Sequence, residues 1–141
     1  MRLSEAQARV VLGRFYVAPK AKKAKKPAAP KQPSVGEAEM MLHFKARKIA
    51  YKYEFKFAEH RRWKSDFRIL GTNILVEVEG GTWSGGRHTR GKGYADDCEK
   101  YSWAASNGWI VLRYTTQQVN SGNAILGVLA AIENLGKGDE Y

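Results

Sequence analysis

The sequence predicts an α/β domain in which a mixed sheet of four to five strands is flanked by helices. Three observations predict it: a helix signature begins at Ser34, three short strand patterns follow, and a strand–helix–strand unit comes next. A crossover through a helix joins parallel strands, whereas a tight turn between two strands joins antiparallel ones. With 141 residues, the chain is expected to form one folded domain with a tail.

The first elements are a helix and a strand. The helix is predicted over residues 35–48, because Ser34 and Glu37 have the spacing of a capping box. Residues 51–57 then alternate aromatic with charged side chains. A period of two is typical of a strand with one solvated face.

A hairpin is predicted next, with strands over residues 63–70 and 73–79. Gly71 stands at the first position of the two-residue loop between them. Glycine there suits a type II′ turn. In the register that this turn imposes, Asp66 lies directly opposite Glu77.

The second half of the chain predicts a loop, a helix, a strand and a last helix. Residues 80–93 contain six glycines among basic side chains and predict a flexible loop. A strand is predicted over residues 109–115 and a helix over residues 117–135. The helix between loop and strand is predicted to bury one stripe, formed by Tyr94, Cys98, Tyr101 and Ala105.

The positive charge is concentrated near the N-terminus. The chain has 24 Lys and Arg against 14 Asp and Glu, and its first 35 residues hold nine basic side chains and one acidic one. Residues 1–33 are therefore predicted to be a disordered or extended basic arm, and residues 34–141 the folded domain. The arm either contacts nucleic-acid phosphates or is a solubilising linker. Its phosphate contacts would be Lys22, Lys23, Lys25 and Lys26.

Several protein classes do not match this composition. A single cysteine, Cys98, excludes an intramolecular disulfide. No run of about 18 apolar residues is present to span a bilayer, and no signal-peptide pattern opens the chain. We therefore expect a cytoplasmic protein with no membrane partner.

Three acidic residues on the predicted hairpin indicate a metal site. Strand periodicity places Glu77 and Glu79 on one face, and Asp66 lies across from them. Carboxylates this close repel one another unless a cation lies between them. Oxygen ligands of this kind suit Mg²⁺, with Mn²⁺ as a substitute. The alternative is a solvated face on which the acids pair with Lys or Arg.

At these residues the sequence resembles the PD-(D/E)XK nuclease superfamily, and within it the very-short-patch-repair-like and phage endonuclease branch. The resemblance implies a restriction-endonuclease-like core and a Mg²⁺-dependent endonuclease acting on DNA, with Asp66 and Glu77 as metal ligands. It rests on residues 34–37 (Ser-Val-Gly-Glu), 62–67 (Arg-Trp-Lys-Ser-Asp-Phe), 76–83 (Val-Glu-Val-Glu-Gly-Gly-Thr-Trp), 86–88 (Gly-Arg-His), 97–101 (Asp-Cys-Glu-Lys-Tyr) and 108–113 (Gly-Trp-Ile-Val-Leu-Arg).

The sequence departs from the family pattern at Glu79, where the family has a lysine. Glu79 would be a third metal ligand or a base that orients water. Lys100 on the following helix is the candidate replacement for the lysine, and the alternative is an ordinary surface lysine. His88 would protonate the leaving oxygen or contact the phosphate. Glu37 would position metal or water, although its capping box alone accounts for it.

DNA is the expected partner, as duplex or branched DNA, in phage recombination or repair. Backbone phosphates would be bound by basic residues beside the site; these are Arg61, Arg62, Arg87, Arg90 and Lys92. A symmetric homodimer suits a nuclease of this size. The expected location is a bacterial cell, in which a phage gene is one possible origin of the protein. The alternative function is a non-catalytic nucleic-acid-binding protein that retains the nuclease fold.

Overall fold

The computed structural model describes residues 28–80 and 91–137. The described residues from Gln32 onward belong to one compact unit. The predicted basic arm lies almost entirely outside the described residues, as does most of the glycine-rich loop. The predictions for these residues therefore stay predictions.

Eight elements follow one another along the described chain. They are α1 (Val35–Ala46), β1 (Tyr51–Lys56), β2 (Lys64–Ile69), β3 (Ile74–Glu79), α2 (Lys92–Ser106), β4 (Ile110–Thr115), α3 (Thr116–Asn120) and α4 (Asn123–Leu135). None of these helices is long and apolar enough to cross a membrane.

The four strands form one mixed sheet in the order β1-β2-β3-β4. The pairs β1–β2 and β2–β3 are antiparallel, and β3–β4 is parallel. The crossover through α2 therefore joins parallel strands, as the sequence predicts. The predicted α/β class with a mixed, helix-flanked sheet is confirmed.

Strand β3 lies inside the sheet and faces a hydrophobic cluster on each side. Ile74, Val76 and Val78 belong to the first cluster, which α1, α3 and α4 cover. Leu75 belongs to the second cluster, which includes Ala104 of α2. Because side chains alternate along a strand, Glu77 and Glu79 follow Leu75 onto the α2 side. This alternation directs the acids to the face that α2 covers.

Helix α1 begins as predicted and ends two residues earlier. Ser34 and Glu37 form both hydrogen bonds of the capping box. Gly36 is buried there, and a Cβ atom at this position would lie 2.8 Å from Thr116 Oγ1 and 2.9 Å from Val78 Cγ1. The missing side chain lets α1 approach β3 and α3 closely.

The prediction that β1 has a single apolar face was wrong. Tyr51 and Tyr53 pack in the first cluster, whereas Phe55 and Phe57 pack in the second. Glu54 stands between the two pairs with a φ of +54°. This left-handed conformation breaks the alternation, so the aromatic residues divide between the two faces of the sheet.

The turn between β2 and β3 is longer than predicted. The strands end at Ile69 and resume at Ile74, and the Thr72 amide donates to the Ile69 carbonyl at 3.3 Å. Gly71, with a φ of +76°, is therefore the third residue of that turn and not the second, so it is not a type II′ turn. The Thr72 hydroxyl donates to the Ile69 carbonyl and accepts from the Ile74 amide, which explains the extra length.

The predicted apolar stripe of α2 was also wrong. Tyr94, Cys98 and Ala105 are exposed, and Ala104 is the buried residue of this helix. The side that meets the sheet holds Lys100, Trp103 and Ala104, which lie at i, i+3 and i+4. This rotation places a lysine, and not a cysteine, toward the strands.

The predicted last helix is two helices. Thr115 and Gln118 form a capping box that begins the short α3. Gly122, with a φ of +82°, then separates α3 from α4. A left-handed residue cannot continue an α-helix, so the chain turns there before α4 packs on the first cluster.

Candidate active site

The structure brings Asp66 and Glu77 together on neighbouring strands. Phe67 pairs with Val76 in the register that the sequence predicts, so Asp66 and Glu77 are the next residues along it. Their carboxyl groups are close enough to share a hydrogen bond when one is protonated and to repel each other when both are ionised, and both effects raise the pKa of Glu77. Asp66 Oδ2 also accepts from the Val78 amide at 2.9 Å. This second bond fixes the Asp66 carboxylate beside β3.

Glu77 is an acid in an environment that disfavours its charge. The residue is 7 % exposed. Burial raises the pKa of Glu77, Lys100 lowers it, and the neighbouring Asp66 raises it again, with a net result of about 7 against an ordinary 4.5. A pKa close to neutral on a buried carboxyl beside a second carboxyl is typical of a functional site.

Lys100 is the positively charged side chain that contacts Glu77. Its Nζ lies 3.1 Å from Glu77 Oε1, and its side chain is 17 % exposed. The ammonium also lies 5.0 Å from the ring centroid of Tyr101 and 5.8 Å from that of Phe57. The buried Ala104, one turn later on α2, holds this side of the helix against the sheet. The lysine that the sequence singled out therefore faces the acids.

Glu79 points to an arginine and not to the carboxylate pair. Its Oε1 accepts from Arg113 Nε at 2.7 Å and lies 2.6 Å from Arg113 Nη2. Arg113 lies on β4, directly beside Glu77 in the parallel register. Within residues 28–80 and 91–137, no three or more His, Cys, Asp or Glu side chains are grouped so as to hold a metal. The geometry therefore gives two converging acids, with the third ion-paired.

Glu37 has a structural role in the described chain. It is 4 % exposed, and its Oε2 accepts from the Ser34 amide at 3.0 Å and from the Tyr53 hydroxyl at 2.8 Å. These bonds complete the N-terminus of α1 and tie it to β1. These hydrogen bonds are sufficient to explain why Glu37 is buried, and no metal is needed for that.

The predicted DNA-binding residues are only partly described. Arg61 forms an ion pair with Glu99 at 2.6 Å and lies 5.1 Å from the ring centroid of Trp63. Arg62 and Lys92 are exposed. The remaining predicted site residues lie outside the described residues; these are Lys22, Lys23, Lys25, Lys26, Arg87, His88 and Arg90.

Sequence reasoning did not assign Arg113 and Tyr101 to the site. The Arg113 guanidinium lies 4.3 Å from the ring centroid of Tyr101. Burial raises the pKa of Tyr101, and the carboxylate of Glu77 adds to this effect. The sequence does show a basic residue, Arg113, on the predicted β4 and an aromatic residue, Tyr101, on the predicted crossover helix. The sequence does not show the parallel register that brings Arg113 beside Glu77.

Comparisons with known proteins show the fold. No protein-family model matches the chain, and no curated protein matches it. Among solved structures, it is similar to the catalytic domain of the homing endonuclease I-Bth0305I, with a TM-score of 0.53 and 20% sequence identity over 70% of this chain and 92% of that one. This chain has the fold of that endonuclease domain. The very-short-patch-repair-like branch stays a prediction.

Proposed function

We propose that this protein is a metal-dependent endonuclease that hydrolyses DNA phosphodiester bonds. The observation that supports it is the buried Glu77, which contacts a second acid, Asp66, and a lysine, Lys100. These groups lie on the fold of an endonuclease catalytic domain. A buried acid whose surroundings disfavour its ionised form does not stabilise the fold. Such an acid is suited to bind a cation, because the cation stabilises the ionised form.

The donor set of the site fits a hard divalent cation. Mg²⁺ prefers oxygen ligands and is commonly held by one or two carboxylates, with waters and substrate phosphates completing its shell. Asp66 and Glu77 would hold Mg²⁺, or Mn²⁺ in its place. When bound, the cation would supply Lewis acidity toward a phosphate oxygen and acidify a water molecule.

The side chains around the pair have separate tasks in this proposal. Asp66 is fixed by the Val78 amide, so it offers one carboxylate in a constant orientation. The ammonium of Lys100, which lies 3.1 Å from Glu77 Oε1, would stabilise the negative charge that develops on the scissile phosphate if a bound cation neutralised Glu77. His88 stays a candidate to protonate the leaving oxygen, and Glu37 a candidate to position water.

A cleavage assay tests the proposal. Plasmid and four-way-junction DNA are incubated with the protein in Mg²⁺, in Mn²⁺ and in EDTA. We expect Asp66→Asn to abolish cleavage while DNA binding stays intact or tightens, because the substitution removes a charge that repels phosphate. Glu133→Gln is the matched control, since Glu133 is an exposed acid on α4 paired with Lys137. Equal cleavage by wild type and Asp66→Asn would contradict the proposal.

A second candidate function is a non-catalytic nucleic-acid-binding protein. It is favoured by Glu79, which stands where the family has a lysine and is ion-paired with Arg113. Binding that weakens steeply with salt, without any metal-dependent product, would identify this function. The same assay on branched and on linear duplexes tests the predicted preference for branched DNA.

The role of Glu79 has its own test. We propose that Glu79 holds Arg113 in place rather than acting as a third ligand. Glu79→Gln should then weaken Mg²⁺ binding much less than Asp66→Asn does, measured by isothermal titration calorimetry. The ion pair is half exposed and is worth at most about 1 kcal/mol of stability. An equal loss of Mg²⁺ affinity in both variants would make Glu79 a ligand.

A further inference from the structure

An open cleft of about 580 Å³ includes Glu79 in its lining, two residues after Glu77 of the carboxylate pair on β3. It is lined by Glu79 and Arg113 from the sheet and by Tyr94, Asp97 and Tyr101 from α2, among others. Glu79 follows Glu77 on the same face of β3. Residues two apart in a strand are separated by about 7 Å, so the cleft begins roughly one nucleotide away from the proposed cutting position.

The cleft is lined by an exposed aromatic ring, that of Tyr94. Tyr94 is 65 % exposed, and within the described part of the chain it makes no hydrogen bond, ring contact or cation–π contact. Tyr101, by contrast, is covered by the Arg113 guanidinium. Exposed aromatic rings beside a polar cleft offer a flat surface on which a planar ligand can stack.

The charges of the cleft favour a neutral ligand. Among the described residues that line the cleft, Glu79 and Asp97 provide two carboxylates and Arg113 one guanidinium, from which the carboxylates lie 2.6 Å and 3.9 Å away respectively. A phosphate would meet net negative charge and an arginine already occupied. A nucleobase is neutral and planar, and its N–H groups can donate to carboxylate oxygens. The Asp97 side chain is 51 % exposed and accessible for this.

We propose that this cleft binds one unpaired nucleobase of the DNA strand that passes the carboxylate pair, with Tyr94 stacked on the base. The inference rests on the proposed function, because it takes DNA to be the ligand. It gives a physical basis for a preference for DNA with an unpaired nucleotide beside the cut. A base that is already unpaired enters such a pocket at the lowest unstacking cost.

The test measures binding and not cleavage. Fluorescence anisotropy in EDTA at physiological salt gives the affinity of the full chain for two labelled duplexes, identical except that one carries a single bulged nucleotide. The variants are Tyr94→Ala, which removes the ring, and Tyr94→Phe, which keeps it. Tyr94 is exposed, so neither substitution disturbs the core.

Wild type and Tyr94→Phe are expected to bind the bulged duplex roughly tenfold more tightly than the paired one, as one stacked base contributes in other single-strand binders. Tyr94→Ala is expected to bind both duplexes alike, with unchanged affinity for the paired one. The proposal is overturned if wild type does not discriminate, or if Tyr94→Ala discriminates as well as wild type. A protein that discriminates but never cleaves in Mg²⁺ would contradict the endonuclease function and leave this cleft assignment standing.

Discussion

Replacement of Glu77 by glutamine should make the protein more stable at neutral and alkaline pH. The native environment raises the pKa of Glu77 from 4.5 to about 7. Each tenfold change in proton affinity corresponds to about 1.4 kcal/mol, so ionised Glu77 costs the native state about 3 kcal/mol relative to the unfolded chain. Glutamine has the shape of the protonated acid and does not ionise. The free energy of unfolding of Glu77→Gln at pH 8 should therefore exceed that of wild type by about 3 kcal/mol.

The size of this stability difference depends on pH in a defined way, while its sign stays the same. Below pH 4.5 Glu77 is protonated in both states, and wild type and Glu77→Gln should be equally stable. Between pH 4.5 and 7 the native state holds the proton more tightly than the unfolded chain does. The stability of wild type therefore falls relative to the variant as the pH rises. Well above pH 7, where Glu77 is ionised in both states, the difference is complete and constant.

Urea denaturation in EDTA, at intervals from pH 4 to pH 9, measures the difference. The matched control is Glu133→Gln, because Glu133 is exposed and its removal should change stability by less than about 0.5 kcal/mol. If Glu77→Gln is not more stable than wild type at pH 8, or if the difference does not depend on pH, the environment does not disfavour the Glu77 charge. The argument for a cation-binding acid would then fail.

Two other substitutions test the arrangement around this acid. Lys100→Met removes the cation that lowers the pKa of Glu77, so this pKa should rise further above 7 in an NMR titration, and cleavage should fall by about 100-fold; Lys64→Met, at an exposed lysine, should change neither. Gly36→Ala places a methyl group against two side chains of β3 and α3, and should cost about 1–3 kcal/mol in urea denaturation. Gly80→Ala, where a Cβ atom meets nothing within 4 Å, should not share that loss.

Local patterns predicted those parts of the fold that local interactions determine. The capping box at Ser34, the β2–β3 register and the parallel crossover each follow from residues close in sequence, and each is present. The side chain pairing of Asp66 with Glu77 follows from the same register. A capping box and the register of a hairpin depend on residues close in sequence, so one sequence was sufficient to predict them, although the type of the turn between β2 and β3 was predicted wrongly.

Features that depend on packing between elements were predicted poorly. A helix stripe of Tyr94, Cys98 and Ala105 has the correct period, yet α2 buries a different side, because Trp103 packs beside Trp63 and Phe57 in the second cluster. The exposure of Tyr94 and the pairing of Glu79 with Arg113 follow from the same packing. Periodicity alone gives the spacing of a stripe, while its direction depends on the residues of the opposite layer.

The second cluster explains why the charge of Glu77 destabilises the native state. Phe57, Leu75 and Ala104 exclude water from the face on which Glu77 lies, and this burial is the largest cause of its raised pKa. The rotation of α2 that buries Ala104 also brings Lys100 to Glu77, and that lysine offsets only part of the cost of burial. A chain selected for stability alone would carry an apolar residue at position 77, because a hydrophobic replacement for a buried ion pair is often neutral or stabilising. A buried acid at position 77 is therefore consistent with the proposed metal site, and added Mg²⁺ should stabilise wild type and leave Glu77→Gln unchanged in a urea titration without EDTA.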